Sequence, residues 1–502
     1  MTRALPFLGR KKELATLEAE YERGGSFVVL YGRRRVGKTA LIKRFIEGKR
    51  ALYFLCSLED PAVNLQRFAR EASVFINSPL LASASFDDWR PVFRAIADAL
   101  ESTPYVLAID ELPYLIASDR SFPSVLQYVW DEILSRTNVT LVLCGSSVHM
   151  MRDEVLSHDS PLYGRRTSQL RLTPLHFTEV REAFPEATYE EAVTSYAITG
   201  GVPKYLEFLR PGTVSRDSLD ANVFSTSGFL YEEPEFLLGE ETRGTASHLS
   251  ILSAVAQGNR KLSELSRFLG REAQSLSPYI RGLVTLGYLE RRTPFNERYP
   301  ERSKNGLYYV SDSFLLFWLT YVQPFKSELE MGNGQPSHEA MNRTFESKFV
   351  PFQFERICTQ RLGELCAAGA IGLTPGRIGG YWNRAGSVEL DVCTHDASRA
   401  VTFLGECKYY ERRPAGMPEY AKLLEKSRLV PREKDMVATQ PATARSARTS
   451  HAETSADDIA DGLMLGLFSH TGFTDELVNL AREGNARIVL VDRGELVKRP
   501  KS

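Results

Sequence analysis

Short apolar runs separated by helical segments dominate the first 175 residues. Residues 27–31, 51–56, 105–109 and 139–144 are each long enough for one strand. Continuous apolar runs are typical of strands buried on both faces of a parallel sheet. Because strands alternate with helical segments such as 40–47, the pattern predicts a parallel sheet with helices on both faces and a ligand at the carboxyl ends of the strands.

The pattern becomes helical from residue 177 to 209, and Gly200-Gly201-Val202-Pro203 interrupts it. Two glycines and a proline cannot continue a helix. We therefore expect a hinge, or a turn packed against a nucleotide, within a helical lid that covers residues 176–245.

Residues 246–330 predict three helices, a strand and a buried connecting helix. Pro278 stands at the first position of the third helix, and the aromatic stretch 308–325 is apolar on most sides. These lengths suggest a winged helix-turn-helix. The three helices are predicted at residues 248–258, 262–269 and 277–286, and the strand begins at Tyr288.

Nine basic residues and five acidic ones lie between His248 and Arg302. Such an excess of positive charge could bind duplex phosphates. A winged helix can equally be a packing module inside an ATPase, and the sequence leaves both interpretations open.

Residues 340–502 predict a small α/β domain. An amphipathic helix covers 345–365 and is kinked or restarted at Pro351. Residues 437–458 are rich in Ala, Thr, Ser and Arg without an apolar period, which predicts a disordered insertion. Strands are predicted at 387–393, 400–408, 463–468 and 486–491, with a helix at 474–481.

The first apolar run leads directly into a G-x-x-x-x-G-K-T phosphate-binding loop. Gly32 and Gly37 allow backbone N–H groups to turn toward a phosphate. Lys38 supplies a cation for the outer phosphates, and Thr39 offers a hydroxyl ligand to Mg²⁺. The predicted nucleotide-binding residues are Gly32, Arg33, Arg34, Arg35, Val36, Gly37, Lys38, Thr39 and Ala40.

Two later strands end in polar residues that would lie beside this loop. One ends in Asp110 and Glu111. Asp110 can hold the Mg²⁺ shell, and Glu111 can orient and deprotonate the attacking water. The alternative is an acidic strand end that faces solvent. The next strand ends in Ser146 and Ser147, either of which could sense the γ-phosphate.

Arg165 follows Pro161-Leu162-Tyr163-Gly164 on a predicted loop. An arginine near the γ-phosphate would stabilise transition-state charge. The alternative is a solvated or salt-bridged surface arginine. Arg165 is a candidate catalytic residue under the first interpretation.

The C-terminal region carries a candidate metal site. A short turn makes two strands antiparallel neighbours, so Asp391 can lie beside Glu406, and alternation places Glu406 and Lys408 on one face. Carboxylates can hold Mg²⁺ or Mn²⁺, and Lys408 can polarise water, as a metal-dependent phosphodiesterase requires. Glu355 could complete the metal shell, with Glu389 as a substitute ligand. The alternative for E-x-K on a strand is ordinary surface charge.

Composition adds little to this picture. The chain has 502 residues, which suggests about three domains, and a formal net charge of −1, so any basic face must be local. Six cysteines without a C-x-x-C pair predict free thiols in a reducing compartment. The longest apolar run, 314–322, is too short to span a bilayer. We expect a cytoplasmic protein without membrane segments.

Taken together, these motifs resemble the archaeal-type ATPases of the STAND class, related to AAA+ P-loop ATPases, that carry a winged helix and a C-terminal PD-(D/E)xK nuclease-like domain. The motifs behind this are Phe7-Leu8-Gly9-Arg10, the phosphate loop, Ile109-Asp110-Glu111, Cys144-Gly145-Ser146-Ser147, Pro161-Leu162-Tyr163-Gly164-Arg165, Gly200-Gly201-Val202-Pro203 and Glu406-Cys407-Lys408.

The resemblance implies ATP as the nucleotide, Ser146 as the sensor, and a restriction-endonuclease-like fold at the C-terminus. It further implies a nuclease-like set of Glu355, Asp391, Glu406 and Lys408. Leu390 replaces the proline of the nuclease signature. The implied domains are 1–175 (ATPase core), 176–245 (lid), 246–330 (winged helix) and 340–502 (nuclease-like).

These features lead to two main hypotheses. In the first, ATP closes the lid, hydrolysis resets it, and the winged helix delivers duplex DNA to a metal-dependent nuclease site. In the second, the nuclease-like domain only binds, so that the protein is an ATP-regulated DNA- or protein-binding switch. The sequence leaves a homo-oligomer or an unknown protein partner open, and a transporter ATPase is a weaker third interpretation.

Overall fold

The computed structural model describes residues 5–241, 245–398, 401–410, 412–431, 461–483 and 487–497. The predicted insertion at 437–458 lies outside the described residues.

The N-terminal sheet has five parallel strands in the order β2-β3-β4-β1-β5. Its three central strands are buried along their whole length, as their continuous apolar sequences predict, whereas β2 and β5 alternate as edge strands do. The strands are β1 (Ser26–Tyr31), β2 (Ala51–Leu55), β3 (Tyr105–Asp110), β4 (Val139–Gly145) and β5 (Ser168–Arg171).

Helices cover both faces of this sheet, with a separate apolar cluster on each face. Asp60 caps α3, because its carboxylate accepts a hydrogen bond from the Ala62 N–H at 2.9 Å. The helices are α1 (Lys11–Arg23), α2 (Lys38–Ile46), α3 (Pro61–Phe75), α4 (Pro79–Ser83), α5 (Arg90–Leu100), α6 (Leu112–Ser118), α7 (Phe122–Glu132) and α8 (Val148–Met150).

A helical region follows, as predicted. Its helices are α9 (Phe177–Ala183), α10 (Tyr189–Thr199), α11 (Pro203–Leu206), α12 (Arg216–Asn222) and α13 (Glu233–Glu241). Gly200 ends α10 with φ 60°, and Pro203 starts α11. The predicted interruption is therefore a tight turn between two helices.

Three helices and an antiparallel hairpin come next: α14 (Thr245–Ala256), α15 (Leu262–Leu269), α16 (Ala273–Leu286), β6 (Leu289–Arg292) and β7 (Leu307–Val310). The predicted start of α16 at Ser277 was wrong, because Pro278 lies inside the helix. The proline removes one hydrogen bond, to the carbonyl of Gln274. Gln274 is exposed, so water can satisfy that carbonyl.

The remaining helices join the middle of the chain to its C-terminal sheet. They are α17 (Ser313–Tyr321), α18 (Lys326–Glu330), α19 (Gln335–Thr344) and α20 (Val350–Ala367), with a π-helical stretch at Phe345–Phe349 where the restart at Pro351 was predicted. One apolar cluster runs from α10 through α17 and α20 to the sheet. The connecting helix is thus buried, as its aromatic composition predicts.

The C-terminal sheet has the strand order β13-β12-β11-β10-β9-β8. The pair β9–β10 is antiparallel, as predicted, whereas β10–β11 and β11–β12 are parallel. Its elements are β8 (Gly379–Trp382), β9 (Glu389–His395), β10 (Thr402–Lys408), α21 (Met417–Ser427), β11 (Leu463–Ser469), α22 (Asp475–Glu483), β12 (Ile488–Asp492) and β13 (Glu495–Leu496).

The segment between β6 and β7 packs on the outer strand of this sheet. The Phe295 N–H donates to the carbonyl of Gly380 at 2.9 Å, and the Trp382 indole N–H donates to the carbonyl of Asn305 at 3.0 Å. The Phe295 ring is 5% exposed and belongs to the apolar cluster of the C-terminal domain. The hairpin is therefore anchored to the C-terminal domain.

Within the residues that the structure describes, helices that combine the length and the apolar composition of a bilayer span are absent.

Replacing Phe295 by Ala should destabilise the C-terminal domain by about 3–5 kcal/mol, because it empties a buried aromatic site. Urea unfolding followed by tryptophan fluorescence measures the loss. The control is Tyr299→Ala in the same segment, where the side chain is 55% exposed and the change should stay within about 0.5 kcal/mol. Equal effects of the two variants would contradict the anchoring role of Phe295.

Candidate functional sites

The phosphate loop joins the end of β1 to the start of α2. Arg35 and Gly37 have φ angles of 70° and 92°, which curl the backbone as an anion-binding turn requires. Position 32 accepts only glycine, because a Cβ there would lie 2.3 Å from the carbonyl oxygen of Leu172. The nine-residue helix α2 directs its N-terminal dipole at the same point. This geometry fits a bound phosphate chain.

Lys38 is 6% exposed, and its ammonium donates a hydrogen bond to the carbonyl of Arg33 at 3.0 Å. Burial lowers the pKa of Lys38, while the nearby charges of Glu111 and Asp110 oppose that shift. A buried ammonium needs an anionic partner. A phosphate group in the loop supplies that charge.

Thr39 and Asp110 meet beside the loop, as predicted. The Thr39 hydroxyl donates to Asp110 Oδ2 at 2.7 Å, and the Tyr53 hydroxyl donates to the same oxygen at 2.8 Å. A hydroxyl and a carboxylate are the hard oxygen ligands that Mg²⁺ accepts, so these residues fit the ion. The hydrogen bond from Tyr53 to Asp110 was not predicted, because the sequence does not show that β2 and β3 are neighbours in the sheet.

Glu111 contacts Ser146 across the carboxyl ends of β3 and β4. Glu111 has φ 54°, and its Oε2 accepts a hydrogen bond from the Ser146 hydroxyl at 2.7 Å. Ser147 instead caps α8 through Met150. The structure thus selects Ser146 over Ser147 as the partner of the acid, while the catalytic roles remain predictions.

Arg165 lies in an ion pair away from these groups. Its guanidinium binds both carboxylate oxygens of Asp131 on α7, at 2.8 and 2.7 Å, and donates to the carbonyl of Pro161 at 2.7 Å. The structure does not bring Arg165 into hydrogen-bond contact with the phosphate loop. This arrangement matches the salt-bridged alternative, and a catalytic role for Arg165 stays a prediction.

Three arginines of the loop pair with carboxylates outside the N-terminal sheet. The pairs are Arg33–Asp312 at 2.9 Å, Arg34–Glu240 at 2.6 Å and Arg35–Glu233 at 2.8 Å. Asp312 is the N-cap of α17, and both glutamates belong to α13. The loop is thus tied to two later parts of the chain.

These contacts are partly buried. The Arg33 guanidinium stacks on the Tyr288 ring, 4.4 Å from its centroid, and donates to the carbonyl of Gly287 at 3.3 Å. Burial alone would lower the pKa of Arg33, but the carboxylate of Asp312 raises it above its ordinary value. Glu233 is 3% exposed, and burial raises its pKa against the opposing effect of Arg35. The carboxylates of Asp312 and Glu233 are therefore shielded from water, whereas the Arg34–Glu240 pair is more exposed and more strongly screened.

These partners were not predicted from the sequence. The only signal was composition, since the segment around α13 is rich in glutamate and the loop holds three consecutive arginines. Oppositely charged residues that are far apart in the chain cannot be recognised as partners until the fold is known.

The C-terminal candidates lie where the register predicts. Gly405 pairs with Val392, which places Glu406 beside Asp391, and the Cys407 N–H donates to Asp391 Oδ2 at 2.8 Å. Burial raises the pKa of Asp391, and the neighbouring Glu406 raises it further. The predicted pairing of the strands is confirmed.

Glu406 is buried and forms ion pairs with Lys408 and with Lys426 of α21. Glu355 on α20 has no side-chain hydrogen bond or ion pair within the described part of the chain. Burial and the charge of Asp391 raise the pKa of Glu355. Glu389 is exposed.

Across the described ranges, groups of three or more His, Cys, Asp or Glu residues that could hold a metal ion are absent. The predicted shell of Glu355, Asp391 and Glu406 is therefore not assembled in this conformation. Lysines on both sides of Glu406 explain this, since they neutralise a carboxylate that would otherwise attract the ion. Metal binding at these residues stays a prediction.

Two family models match the chain. Residues 7–209 match an ATPase domain found predominantly in Archaea. Residues 318–418 match a family of archaeal and bacterial proteins of unknown function.

An uncharacterized protein of Methanocaldococcus jannaschii is 33% identical over 426 residues, which is 84% of this chain and 92% of that protein. The Walker-type ATPase of Pyrococcus abyssi is similar in structure, with 20% identity, TM-score 0.47, and coverage of 62% of this chain and 96% of that one. The Aeropyrum pernix ORC2 protein follows with 14% identity, TM-score 0.43 and coverage of 65% and 96%. The chain therefore belongs to the family of the Methanocaldococcus jannaschii protein, and its N-terminal part is an archaeal-type P-loop ATPase domain.

Proposed function

We propose that this ATPase is a molecular switch that controls a metal-dependent DNA-cleaving site in its C-terminal domain. In this proposal the module from α14 to β7 is a winged helix-turn-helix, and the C-terminal sheet belongs to a PD-(D/E)xK nuclease-like domain. The observation that carries the switch is the set of ion pairs between the phosphate loop and α13 or α17.

Hydrolysis uses the residues at the strand ends. Backbone N–H groups of the loop and Lys38 bind the phosphates, and Thr39 and Asp110 would hold Mg²⁺, which neutralises developing charge. Glu111 accepts the proton of the attacking water. The Ser146 hydroxyl donates to the Glu111 carboxylate at 2.7 Å and so orients it for this step.

The switch follows from electrostatic competition. Bound ATP would bring several negative charges to the phosphate loop, where they attract the arginines that hold Glu233 and Glu240. ATP should therefore weaken the contact between the loop and α13, and hydrolysis should restore it. This order reverses the sequence-based hypothesis that ATP closes the lid, because the phosphates would compete with Glu233 and Glu240 for the same arginines.

Two observations support DNA as the substrate. Basic residues outnumber acidic ones between His248 and Arg302. Glu355 and Asp391 line the same cavity and could hold a metal ion. Mg²⁺ or Mn²⁺ held by these two carboxylates would polarise a phosphodiester group. Lys408 would steady charge on the phosphorane.

A second candidate function is an ATP-regulated DNA- or protein-binding switch with a catalytically silent C-terminal domain. The ion pairs of Glu406 with Lys408 and Lys426 favour it, because they hold this carboxylate away from a metal.

Glu111→Gln should reduce steady-state ATP hydrolysis by about 10²–10⁴-fold, because an amide cannot accept the proton of the attacking water. Calorimetry should show that Mg²⁺–ATP still binds, whereas Lys38→Ala should lose binding. The control is Glu47→Gln on the exposed end of α2, which should hydrolyse ATP normally. Wild-type hydrolysis by Glu111→Gln would exclude it as the base.

Addition of a non-hydrolysable ATP analogue should increase amide hydrogen exchange in α13. In the double variant Glu233→Gln, Glu240→Gln, exchange there should already be high without nucleotide, since the loop no longer holds the helix. Glu235→Gln is the matched control, because Glu235 lies on the same helix but pairs with Lys326. Identical exchange with and without nucleotide in the wild type would refute the switch.

Wild-type protein with Mn²⁺ and ATP should nick plasmid DNA, and Lys408→Ala should lose this cleavage while ATP hydrolysis persists. Lys422→Ala, an exposed position on α21, serves as the control and should cleave normally. Agarose gels resolve nicked from supercoiled plasmid. Retention of plasmid without nicking by the wild type would favour the silent-domain alternative.

A further inference from the structure

A cavity of about 350 Å³ lies in the middle of the chain's fold, between the helices and the hairpin. Its walls are formed by the end of α14, by β7 and α17, and by the junction of α19 with α20. The lining residues belong neither to the phosphate loop nor to the predicted metal site. The cavity is therefore separate from both sites described above.

Aromatic rings form much of the wall. Tyr309, Tyr321, Phe349 and Phe352 line the cavity together with aliphatic side chains. Tyr321 and Phe349 are 1% and 6% exposed, so packing holds their rings in place. Aromatic rings accept a further ring in an offset-stacked or edge-to-face arrangement. The wall therefore fits a planar ring.

The charged residues that line the cavity, among those that the structure describes, are both cationic. They are Arg260, between α14 and α15, and Lys348, in the π-helical stretch before α20. Within the described ranges neither cation has a carboxylate within 4.0 Å. Cations at the edge of an apolar cavity attract an anionic group.

Nearby acidic residues act on this region only from a greater distance. The main-chain N–H of Arg260, and not its guanidinium, donates to Glu264 Oε2 at 2.9 Å. The charge of Arg260 opposes the rise in the pKa of Glu355, although the two side chains form no ion pair. Burial raises the pKa of Tyr321, and the charge of Glu346 adds to that rise. Arg260 therefore keeps N–H donors for a ligand.

The Arg260 guanidinium is held in place by Tyr309. It lies 4.4 Å from the centroid of the ring and donates to the phenol oxygen at 3.3 Å. Burial raises the pKa of Tyr309, although Arg260 and Arg292 oppose the shift. The phenol is therefore neutral and can donate its own proton to a ligand. Two hydrogen-bond donors thus lie together at the cavity.

The backbone at the cavity is also unusual. Lys348 and Phe349 belong to the π-helical stretch that precedes α20. Stretches of π-helix are rare, and they occur frequently at functional sites. This observation is independent of the charge and the aromatic lining, and it points to the same place.

We propose that this cavity binds a small planar aromatic molecule that carries a carboxylate or a phosphate, with its ring against the aromatic wall and its anionic group on Arg260 and Lys348. A volume of about 350 Å³ is at the lower end for small-ligand pockets. The ligand is therefore an aromatic acid or one nucleoside monophosphate. The inference does not depend on the proposed function, because it uses neither the phosphate loop nor the C-terminal carboxylates.

The test is a ligand-observed NMR titration of the full-length protein with 2-naphthoate, in saturating Mg²⁺–ADP so that the phosphate loop is occupied. We expect a dissociation constant of about 1 mM or tighter, as typical ligand efficiencies give for a molecule of this size. The uncharged 2-naphthalenemethanol should bind about tenfold more weakly or worse, because it cannot accept charged hydrogen bonds as an anion does. Cyclohexanecarboxylate should bind at least about threefold more weakly, because it cannot stack.

The double variant Arg260→Gln, Lys348→Gln should weaken 2-naphthoate binding by about tenfold or more. Its affinity for 2-naphthalenemethanol should be unchanged, which separates loss of charge from loss of folding. Arg343→Gln is the matched control, because Arg343 is an exposed arginine on α19 that does not line the cavity. This control should bind 2-naphthoate like the wild type.

Equal affinity for 2-naphthoate and its alcohol, unchanged binding in the double variant, or an equal loss in Arg343→Gln would each overturn the proposal. Binding seen only without Mg²⁺–ADP would also overturn it, because the probe would then occupy the phosphate loop. Addition of adenosine 5′-monophosphate identifies the source of the ligand. Displacement of 2-naphthoate supports the site as one for nucleoside monophosphates, and retention of 2-naphthoate supports it as one for aromatic carboxylates.

Discussion

The interaction on which the rest of the structure depends is the capture of three loop guanidinium groups by carboxylates from α13 and α17. A phosphate loop must present positive charge, and three adjacent, partly buried arginines repel one another. Glu233 and Asp312 relieve that repulsion, and both are almost fully buried. Breaking one partner of a buried pair is costly because it leaves an uncompensated charge. The balance of charge around the loop can therefore change only in two ways. Either these later segments move, or a bound phosphate replaces their carboxylates as the partner of the arginines.

This constraint links distant parts of the chain. Arg33 reaches both Asp312, at the start of α17, and the carbonyl of Gly287, at the end of α16. From there the hairpin continues to the C-terminal sheet, where Phe295 is buried. In the proposed switch, this chain of contacts is the route by which nucleotide state would reach Glu355 and Asp391.

Local signals predicted much of the fold and of the nucleotide site. The loop, Asp110, Glu111 and the pairing of β9 with β10 follow from residues close in sequence, where motif and periodicity act directly. The start of α16 was misplaced, because a proline can be tolerated inside a helix when the freed carbonyl faces water. Partners contributed by distant segments, such as Tyr53 and Glu233, were missed, because only the folded chain brings them to the site. Lys426 was missed for the same reason, and it changes the environment of Glu406.

The most direct test of the central claim is a double-mutant cycle on Mg²⁺–ATP affinity, measured by calorimetry for Arg35→Ala, Glu233→Ala and the double variant. If Glu233 competes with the nucleotide for Arg35, removing Glu233 should tighten ATP binding when Arg35 is present and have little effect when it is absent. The expected coupling is about 0.5–3 kcal/mol. Additive effects of the two substitutions would contradict the claim that the loop arginines couple nucleotide binding to the rest of the chain.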